Sequence, residues 1–379
     1  MTAVGFAAWL FASSVLLAAG PATPRPDTPR PLLGLVIEFT KTPPADVEKR
    51  ALAEVRSTGV NLFALAVSWS QMEPAPGKYR VAQVTRTARL LRQSGATLHL
   101  DLPLVAGRAR DLPRDLAGFA FDDTRLSLRL GKLLEALEPA LADISTISLG
   151  YEADTYFAGR PEELKAYRRL FDGAVEFLRK LAPRLAVGVT TAAPTESAAP
   201  EVAAQLHQKS PVLFYLYSPF VRDRPYFHRD PAALESDWRR LLDSAGGRPI
   251  AFSEVSFSSS AENGSSPEKQ AEFVRRMRRF LASSDGRRLL FARYVGWRDP
   301  PSQVYPLPPN APETDRRKAS FFSNRGLQGP HGEAKPAWKE WAKEARSFWI
   351  LDFRFWIGDG GRGFNLESKI QNPKLHDHP

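Results

Sequence analysis

Short apolar runs alternate with longer stretches of helical periodicity from residue 31 onward. The runs consist almost wholly of aliphatic and aromatic residues, which is typical of strands buried on both faces of a parallel sheet. The pattern predicts strands over residues 32–39, 60–67, 96–105, 144–149, 185–191, 212–217, 250–254 and 289–297. It predicts helices over residues 44–57, 81–94, 123–141, 162–181, 198–208, 231–244, 267–283 and 335–345. Gly59, Gly95 and Gly247 stand just before strands, where glycine commonly ends a helix.

The order of these elements predicts the fold class. Consecutive strand–helix units that never reverse favour a closed α/β barrel over an open doubly wound sheet. No glycine-rich loop follows the first predicted strand, which argues against a dinucleotide-binding fold. We therefore expect a single (β/α)8 TIM barrel over residues 32–346.

The two ends of the chain differ from the barrel region. The apolar run over residues 3–20 indicates a signal peptide within residues 1–22, with an uncleaved N-terminal anchor as the alternative. Residues 23–31 are proline-rich and predict an extended tether. Either interpretation places the barrel outside the cytoplasm, in the periplasm or the extracellular space. Residues 347–379 are aromatic and then polar, and could form a strand on the barrel, an interaction surface or a poorly structured end.

Composition excludes several kinds of chemistry. The 379 residues include no cysteine, which excludes disulfides, thiolate metal sites and cysteine nucleophiles. The 6 histidines have no metal-ligand spacing, so we expect neither a metal nor a cofactor. The net charge of +10 is compatible with nucleic acid, an anionic membrane or an acidic polymer as a neighbour. However, basic residues recur in nearly every predicted helix and no nucleic-acid-binding module is present, so we expect no nucleic acid partner and no membrane span beyond the N-terminal segment.

Two glutamates stand where a barrel builds its active site, at the carboxyl ends of the strands. Glu152 follows the fourth predicted strand and Glu254 ends the seventh. Either residue alone could be a solvated strand end. As a pair they are the groups that break a glycosidic bond, one donating a proton to the leaving oxygen and the other attacking the anomeric carbon.

Four segments resemble the clan A glycoside hydrolases, and the resemblance covers residues 32–345. They are WSQMEPAPGKY at 69–79, ISLGYEADTY at 147–156, IAFSEVSF at 250–257 and, within 322–338, GLQGPHGEAKPAW. The second segment is most like the galactanase-type branch. The resemblance implies that Glu152 is the general acid/base and Glu254 the nucleophile of a retaining enzyme, with the two carboxyl groups about 5–5.5 Å apart.

The same resemblance suggests further substrate-binding residues. Tyr217 matches a strand-six tyrosine that donates a hydrogen bond to the nucleophile, although it could simply line the barrel. Trp297 matches a tryptophan beneath the bound sugar, and Trp69 is either a second platform or a packing residue beneath its loop. Asp101 and Asp154 could bind sugar hydroxyls, and Asp154 could equally be a cap or a salt-bridge partner.

The chain departs from the clan pattern at two points. Tyr151 replaces the asparagine that precedes the acid/base and binds the sugar 2-hydroxyl, and the clan's strand-two arginine has no evident counterpart. We expect an exported retaining β-glycosidase that acts on a poly- or oligosaccharide. The alternatives are a catalytically impaired carbohydrate-binding barrel, which the Tyr151 substitution favours, and an envelope interaction protein that binds an acidic polymer.

Overall fold

The structure is a computed structural model that describes residues 31–37, 45–301 and 306–349. Three predicted segments lie outside these residues. They are the signal segment (1–22), the tether (23–31) except its last residue, and most of the tail (347–379).

Eight parallel strands form a closed barrel, as the sequence predicts. We number them β1 to β8 along the chain. The barrel closes between the first and the last strand, where Leu32 lies opposite Phe291. The strands are β1 Leu32–Val36, β2 Leu62–Ala66, β3 Thr97–Asp101, β4 Ile144–Ser148, β5 Ala186–Ala192, β6 Val212–Tyr217, β7 Ile250–Val255 and β8 Leu289–Val295.

Helices surround the barrel. Those predicted from periodicity begin and end within about two residues of their predicted bounds. The one exception is the C-terminal end of the last predicted helix. The described helices are α1 Ala45–Arg56, α2 Trp69–Met72, α3 Ala82–Gln93, α4 Thr124–Leu141, α5 Ala153–Ala158, α6 Pro161–Leu181, α7 Pro200–His207, α8 Ala233–Ser244, α9 Pro267–Ala282, α10 Glu313–Ser323 and α11 Pro336–Trp349. Helix α4 begins directly after Asp123, whose side chain accepts a hydrogen bond from the backbone N–H of Arg125. Helix α11 continues to Trp349, four residues past its predicted end, so the tail begins later than predicted.

Several short elements were not predicted, and they follow the carboxyl ends of the strands. They include helices α2, α5 and α10 and two antiparallel hairpins. The Arg108 hairpin pairs Val105–Ala106 with Ala109–Arg110, and the Tyr226 hairpin pairs Phe220–Val221 with Arg224–His228. These elements surround the barrel mouth, where a barrel enzyme binds its substrate.

The interior of the barrel changes from apolar to polar along its axis. Toward the amino ends of the strands it is filled by an apolar cluster of Leu62, Val212, Phe214, Ala251 and Phe291. Toward the mouth, the buried residues are His99, Thr146, Ser148, Thr190 and Ser253. The ring of His99 lies 5.2 Å from Phe214 and 5.1 Å from Phe291, at the boundary between the two layers. The barrel interior is therefore polar at the end where the strands carry Glu152 and Glu254.

None of the helices in the described ranges combines the length and the apolar character needed to cross a membrane.

Candidate active site

Glu152 lies at the turn between β4 and α5 in an unusual backbone conformation. Its φ of 48° and ψ of 41° place it in the left-handed region, which costs free energy for any residue with a Cβ. The preceding turn is held by the backbone N–H of Tyr151, which donates to the carbonyl of Val105 at 2.9 Å. It also requires glycine at position 150, where a Cβ would lie 2.8 Å from both the Tyr167 hydroxyl and Val189 Cγ2. A strained position kept by its surroundings is typical of a functional residue.

Glu254 reaches the mouth through a bulge in β7. Phe252 pairs with Tyr215 of β6 and Glu254 pairs with the next residue, Leu216, so Ser253 is an extra residue on its strand. Ser253 is buried in the polar layer with its hydroxyl 3.4 Å from that of Thr190. A bulge re-aims the side chains that follow it, and here it lets Glu254 face the mouth directly after an inward-facing serine.

Tyr151 connects the two glutamates. It precedes Glu152 in the chain, and its hydroxyl donates a hydrogen bond to Glu254 Oε1 at 2.8 Å. Burial, and then the negative charges of Glu254 and Glu152, raise the pKa of Tyr151 well above its usual value. The phenol therefore keeps its proton and remains a donor to Glu254.

Glu152 holds its proton far more strongly than an ordinary carboxyl. Burial is the largest cause, followed by the charges of Glu254 and Asp154, and together they raise its pKa to about 7 despite the opposing effect of Lys318. A carboxyl group that is still protonated near neutral pH can act as a general acid.

Arg293, in the middle of β8, supplies positive charge beside Glu254. Its Nη2 lies 4.0 Å from Glu254 Oε1, and its Nε donates to the carbonyl of Ser253 at 2.5 Å. Asp101 holds the guanidinium from β3, with both Nη atoms 3.4 Å from Oδ2. The other carboxylate oxygen, Oδ1, is 3.0 Å from His99 Nε2, and His99 Nδ1 is 2.7 Å from the Thr146 hydroxyl.

The contacts with His99 and Arg293 keep the carboxyl group of Asp101 ionised. Burial alone would raise its pKa, but the charges and hydrogen bonds of His99 and Arg293 lower it to about 2. Asp101 was predicted to bind a sugar hydroxyl. In the structure its two oxygens contact His99 and Arg293 inside the barrel, so it holds the Arg293 guanidinium, and its contact with a sugar stays a prediction.

Asp154 and Tyr217 make contacts other than those predicted with a substrate or with the nucleophile. Asp154 is 2 % exposed and accepts hydrogen bonds from the Ser197 hydroxyl at 2.6 Å and the Ala192 N–H at 3.1 Å, so it anchors the chain after β5. The Tyr217 hydroxyl donates to Asp237 at 3.0 Å, and its ring packs against Trp238 of α8. Because side chains alternate along a strand, Tyr217 faces the helices, while its neighbour Leu216 faces the barrel.

The two predicted tryptophan platforms are both buried. Trp69 is 0 % exposed and its Nε1 donates to Glu73 at 2.7 Å, and both observations favour the packing role over an open platform. Trp297 is 3 % exposed, with the Arg298 guanidinium 3.8 Å from the centre of its ring. Its proposed contact with a sugar stays a prediction.

Sequence reasoning missed Arg293 and Tyr226. The available signal for Arg293 was a single charge inside the apolar run LLFARYV. Tyr226 lies in the second strand of the Tyr226 hairpin, with no motif around it in the sequence. Its φ is 61°, and it is the other non-glycine residue with a positive φ in the described chain. Within the described ranges, no group of three or more acidic or histidine side chains could hold a metal ion.

Solved structures of glycoside hydrolases share this barrel, although no protein-family model and no curated protein sequence matches the chain. A GH5_18 protein from Streptomyces cattleya, solved in complex with GlcNAc, matches with a TM-score of 0.59 at 16% identity over 85% of this chain and 81% of that one. A GH5_18 protein from Bifidobacterium longum subsp. longum matches with a TM-score of 0.58 at 17% identity, over 84% and 80% of the two chains.

A third solved structure is an exo-β-1,4-mannosidase from Opitutaceae bacterium strain TAV5. It matches with a TM-score of 0.58 at 17% identity over 84% of this chain and 59% of its own. At these identities the likeness concerns the fold. The chain is thus a (β/α)8 barrel similar to those of clan A glycoside hydrolases, as the sequence resemblance implied.

Proposed function

We propose that this chain is a retaining β-glycoside hydrolase in which Glu152 is the general acid/base and Glu254 the nucleophile. The observation that carries the proposal is the contrast between the two carboxyl groups. Glu152 is held protonated near neutral pH, whereas Glu254 receives a hydrogen bond from Tyr151 and lies beside the Arg293 guanidinium. Both contacts favour a negatively charged Glu254. This is the division of roles that double displacement requires.

The reaction would proceed in two steps. Glu152 donates its proton to the glycosidic oxygen as the bond from that oxygen to the anomeric carbon breaks, and a Glu254 oxygen bonds to the same carbon from the opposite face. Glu152, now ionised, then takes a proton from water while the water oxygen attacks the anomeric carbon and releases Glu254. Tyr151 keeps the nucleophile oriented through both steps and does not itself react.

We further propose a poly- or oligosaccharide substrate. Structural neighbours support a carbohydrate ligand, since the Streptomyces cattleya protein was solved with GlcNAc and a variant of it with Manβ1-4GlcNAc. The polar layer beneath the mouth and the aromatic residues around it suit a ligand that presents both hydroxyl groups and apolar C–H faces.

Export of the protein is also part of this proposal, and it rests on the apolar run within residues 1–22. Expression with the native N-terminus, followed by fractionation and intact mass, tests it. A barrel recovered outside the cytoplasm supports export, either shortened near residue 22 or uncleaved and membrane-attached, whereas a full-length cytoplasmic chain contradicts it.

The experiment for the catalytic proposal is labelling with a panel of 2-deoxy-2-fluoro glycosyl fluorides and epoxide inactivators, read by intact mass and peptide mapping. We expect one sugar adduct per chain, attached to Glu254 and absent from Glu254→Gln. Glu152→Gln should still form the adduct with a fluoride leaving group, which needs little protonation, but should hydrolyse it slowly. An adduct on another residue would contradict the assignment.

The second candidate function is a carbohydrate-binding barrel that no longer turns over. The observation that favours it is the Tyr151 phenol, which lies against Glu254 where the clan pattern has an asparagine amide. Saturable glycan binding without any adduct across the panel would support this second candidate.

A further inference from the structure

A row of buried hydroxyl groups joins the strands that carry the two glutamates. The Ser148 hydroxyl lies 2.8 Å from that of Thr190, and the Thr190 hydroxyl lies 3.4 Å from that of Ser253. We call these three residues the hydroxyl row. They come from β4, β5 and β7, and β6 lies between the last two in the sheet. All three side chains are at most 1 % exposed, so the row crosses the barrel interior away from bulk solvent.

At one end, the hydroxyl row holds the turn that leads to Glu152. The Ser148 hydroxyl donates to the carbonyl of Gly150 at 2.8 Å, and the backbone N–H of Thr190 donates to the same oxygen at 2.9 Å. This carbonyl belongs to the peptide group between Gly150 and Tyr151, directly before Glu152. Two donors on one oxygen therefore fix the orientation of the chain from which the strained acid/base begins.

At the other end, the hydroxyl row reaches the bulge that aims Glu254 at the mouth. Ser253 is the extra residue of that bulge and directly precedes Glu254. Among the described residues, its hydroxyl forms a hydrogen bond only with that of Thr190. A buried hydroxyl without a partner is unfavourable, so loss of the Thr190 hydroxyl would make Ser253 and its bulge rearrange.

The direction of the hydrogen bonds along the row follows from the number of protons. Each hydroxyl donates one proton and can accept others. Ser148 gives its proton to the Gly150 carbonyl, so it accepts from Thr190. Thr190 has then used its own proton, so it accepts from Ser253. The donors therefore form one chain from the bulge in β7 to the turn after β4, and hydrogen bonds in such a chain polarise and strengthen one another.

We propose that Thr190 is a positioning residue that sets the spacing of the Glu152 and Glu254 carboxyl groups. The inference rests on the proposed function, because a retaining reaction needs these two groups about 5–5.5 Å apart. Thr190 is the middle member of the hydroxyl row, and its backbone N–H also holds the turn before Glu152. It is fully buried, so it acts through the backbone that carries each carboxyl group.

The test compares two neighbouring threonines of β5. Thr190→Val removes the hydroxyl at nearly constant volume, and Thr190→Ser keeps the hydroxyl. The matched control is Thr191→Val, because Thr191 is also 0 % exposed but its hydroxyl donates to the carbonyl of Ala192, outside the row. Ser253→Ala breaks the row at its far end and should move each measurement below in the same direction as Thr190→Val.

The first measurement is labelling with 2-deoxy-2-fluoro-β-glucosyl, -mannosyl and -galactosyl fluorides, using the reagent that modifies the wild type. Thr190→Val should lower the rate at saturating reagent by about tenfold or more, because small misplacements of reacting groups are costly. The reagent concentration that gives the half-maximal rate should change by less than about twofold, since the sugar contacts remain. Thr190→Ser and Thr191→Val should label at close to the wild-type rate.

The second measurement does not require any reaction. It is an NMR titration of the side-chain carboxyl carbons in protein labelled with ¹³C-glutamate, with the Glu152 signal assigned through Glu152→Gln. The charge of Glu254 helps to raise the pKa of Glu152 to about 7, so a wider spacing lowers it. In Thr190→Val the midpoint of the Glu152 titration should fall by about one pH unit, whereas Thr190→Ser and Thr191→Val should keep it.

The two measurements separate this inference from the catalytic proposal. A Glu152 midpoint in Thr190→Val that equals that of Thr191→Val overturns the positioning role, and so does an unchanged rate of labelling. If the wild type forms no adduct but the midpoint falls in Thr190→Val alone, the role of Thr190 in the spacing stands and the hydrolase is overturned. If Thr190→Val does not fold, Ser253→Ala decides by the same two criteria.

Discussion

Tyr151 both precedes Glu152 in the chain and donates a hydrogen bond to Glu254. In the clan pattern these two features belong to residues on different strands. The resemblance predicted an amide at this position and a tyrosine on β6 that would hold the nucleophile. In the structure, the phenol at the end of β4 donates to Glu254 and the β6 tyrosine faces the helices. A hydrogen bond to Glu254, the proposed nucleophile, is therefore present but comes from another strand, so the substitution does not by itself indicate a lost activity.

Replacing Tyr151 with phenylalanine tests this role directly. A hydrogen bond to a charged group contributes about 1.5–3 kcal/mol, so Tyr151→Phe should slow adduct formation about 10- to 100-fold. The matched control is Tyr217→Phe, which loses a hydroxyl of the same kind outside the barrel mouth and should label at the wild-type rate. Measured inactivation rates check both variants, and equal rates in wild type and Tyr151→Phe would contradict the role.

Glu152 is expected to destabilise the folded protein as the pH rises. Its pKa of about 7 in the folded state exceeds the ordinary value of 4.5, so the folded state binds the proton more tightly than the unfolded state does. The associated stability is fully present below about pH 4.5 and is lost as the pH rises through about 7. Glu152→Gln should therefore be more stable than wild type by about 1–3 kcal/mol at pH 8, with the difference disappearing near pH 4.5.

Urea denaturation at a series of pH values measures this difference. Because the amide in Glu152→Gln does not titrate, the pH dependence of the difference in unfolding free energy between the two proteins reports the Glu152 carboxyl group alone. A gap that does not change between pH 4.5 and pH 8 would show that the Glu152 pKa is not raised.

One pair of charges, Arg293 and Asp101, crosses the barrel interior between strands that are not adjacent. Arg293 on β8 contacts Asp101 on β3 and the Ser253 carbonyl in the β7 bulge. Gly34 on β1 makes room for the arginine, since a Cβ there would lie 3.0 Å from Arg293 Cγ. The guanidinium therefore joins strands that are not neighbours in the sheet, which holds the carboxyl ends of the strands at a fixed spacing around Glu254.

A double-mutant cycle should reveal this connection. Arg293→Met leaves Asp101 buried without its cation and should cost about 3–5 kcal/mol in the free energy of unfolding. Asp101→Asn removes the charge that Arg293 balances, so the double variant should be less destabilised than the sum of the two single variants by about 0.5–3 kcal/mol. Chemical denaturation of the four proteins measures the coupling, and strict additivity would mean that the pair does not act as a unit.

The elements that the sequence predicted and those that it missed differ in what stabilises them. The long helices and the eight strands carry their own apolar periodicity, so 212–217 was predicted with the bounds that β6 has. Helix α2 begins with a local capping box of Ser68 and Gln71, which apolar periodicity does not detect. The Tyr226 hairpin depends on partners distant in sequence, such as Asn263, which donates to the carbonyls of Tyr226 and Arg317. These partners cannot be identified before the fold is known.

The errors at the site have the same origin. Glu152 and Glu254 were identified because each directly follows an apolar run. The inward or outward direction of the neighbouring residues depends on strand alternation and on the one-residue bulge at Ser253, which no pattern in the sequence indicates. For this reason the sequence did not indicate that Tyr217 faces the helices, nor that Arg293 lies between Asp101 and Glu254.

The whole molecule depends on closing the seam where β1 meets β8. Helix α11 covers this seam from outside, with Trp341 fully buried against Tyr294 of β8 at a ring separation of 5.9 Å. The Trp341 Nε1 donates to the hydroxyl of Thr58, just after α1, at 2.8 Å. One side chain therefore connects the last strand and the last helix to the first helix.

Trp341→Ala should accordingly destabilise the entire barrel and not only its last helix. Truncating a fully buried tryptophan typically costs about 3–5 kcal/mol, and here it also leaves Thr58 without its donor. In urea, far-UV and near-UV circular dichroism should still follow one common transition, shifted to a lower midpoint. The control is Leu128→Ala on α4, where the side chain is 63% exposed and the expected change is within about 0.5 kcal/mol. If Trp341→Ala instead gave two separate transitions, with the earlier one confined to α11, the seam would be closed by the strands alone and α11 would be an accessory to the barrel.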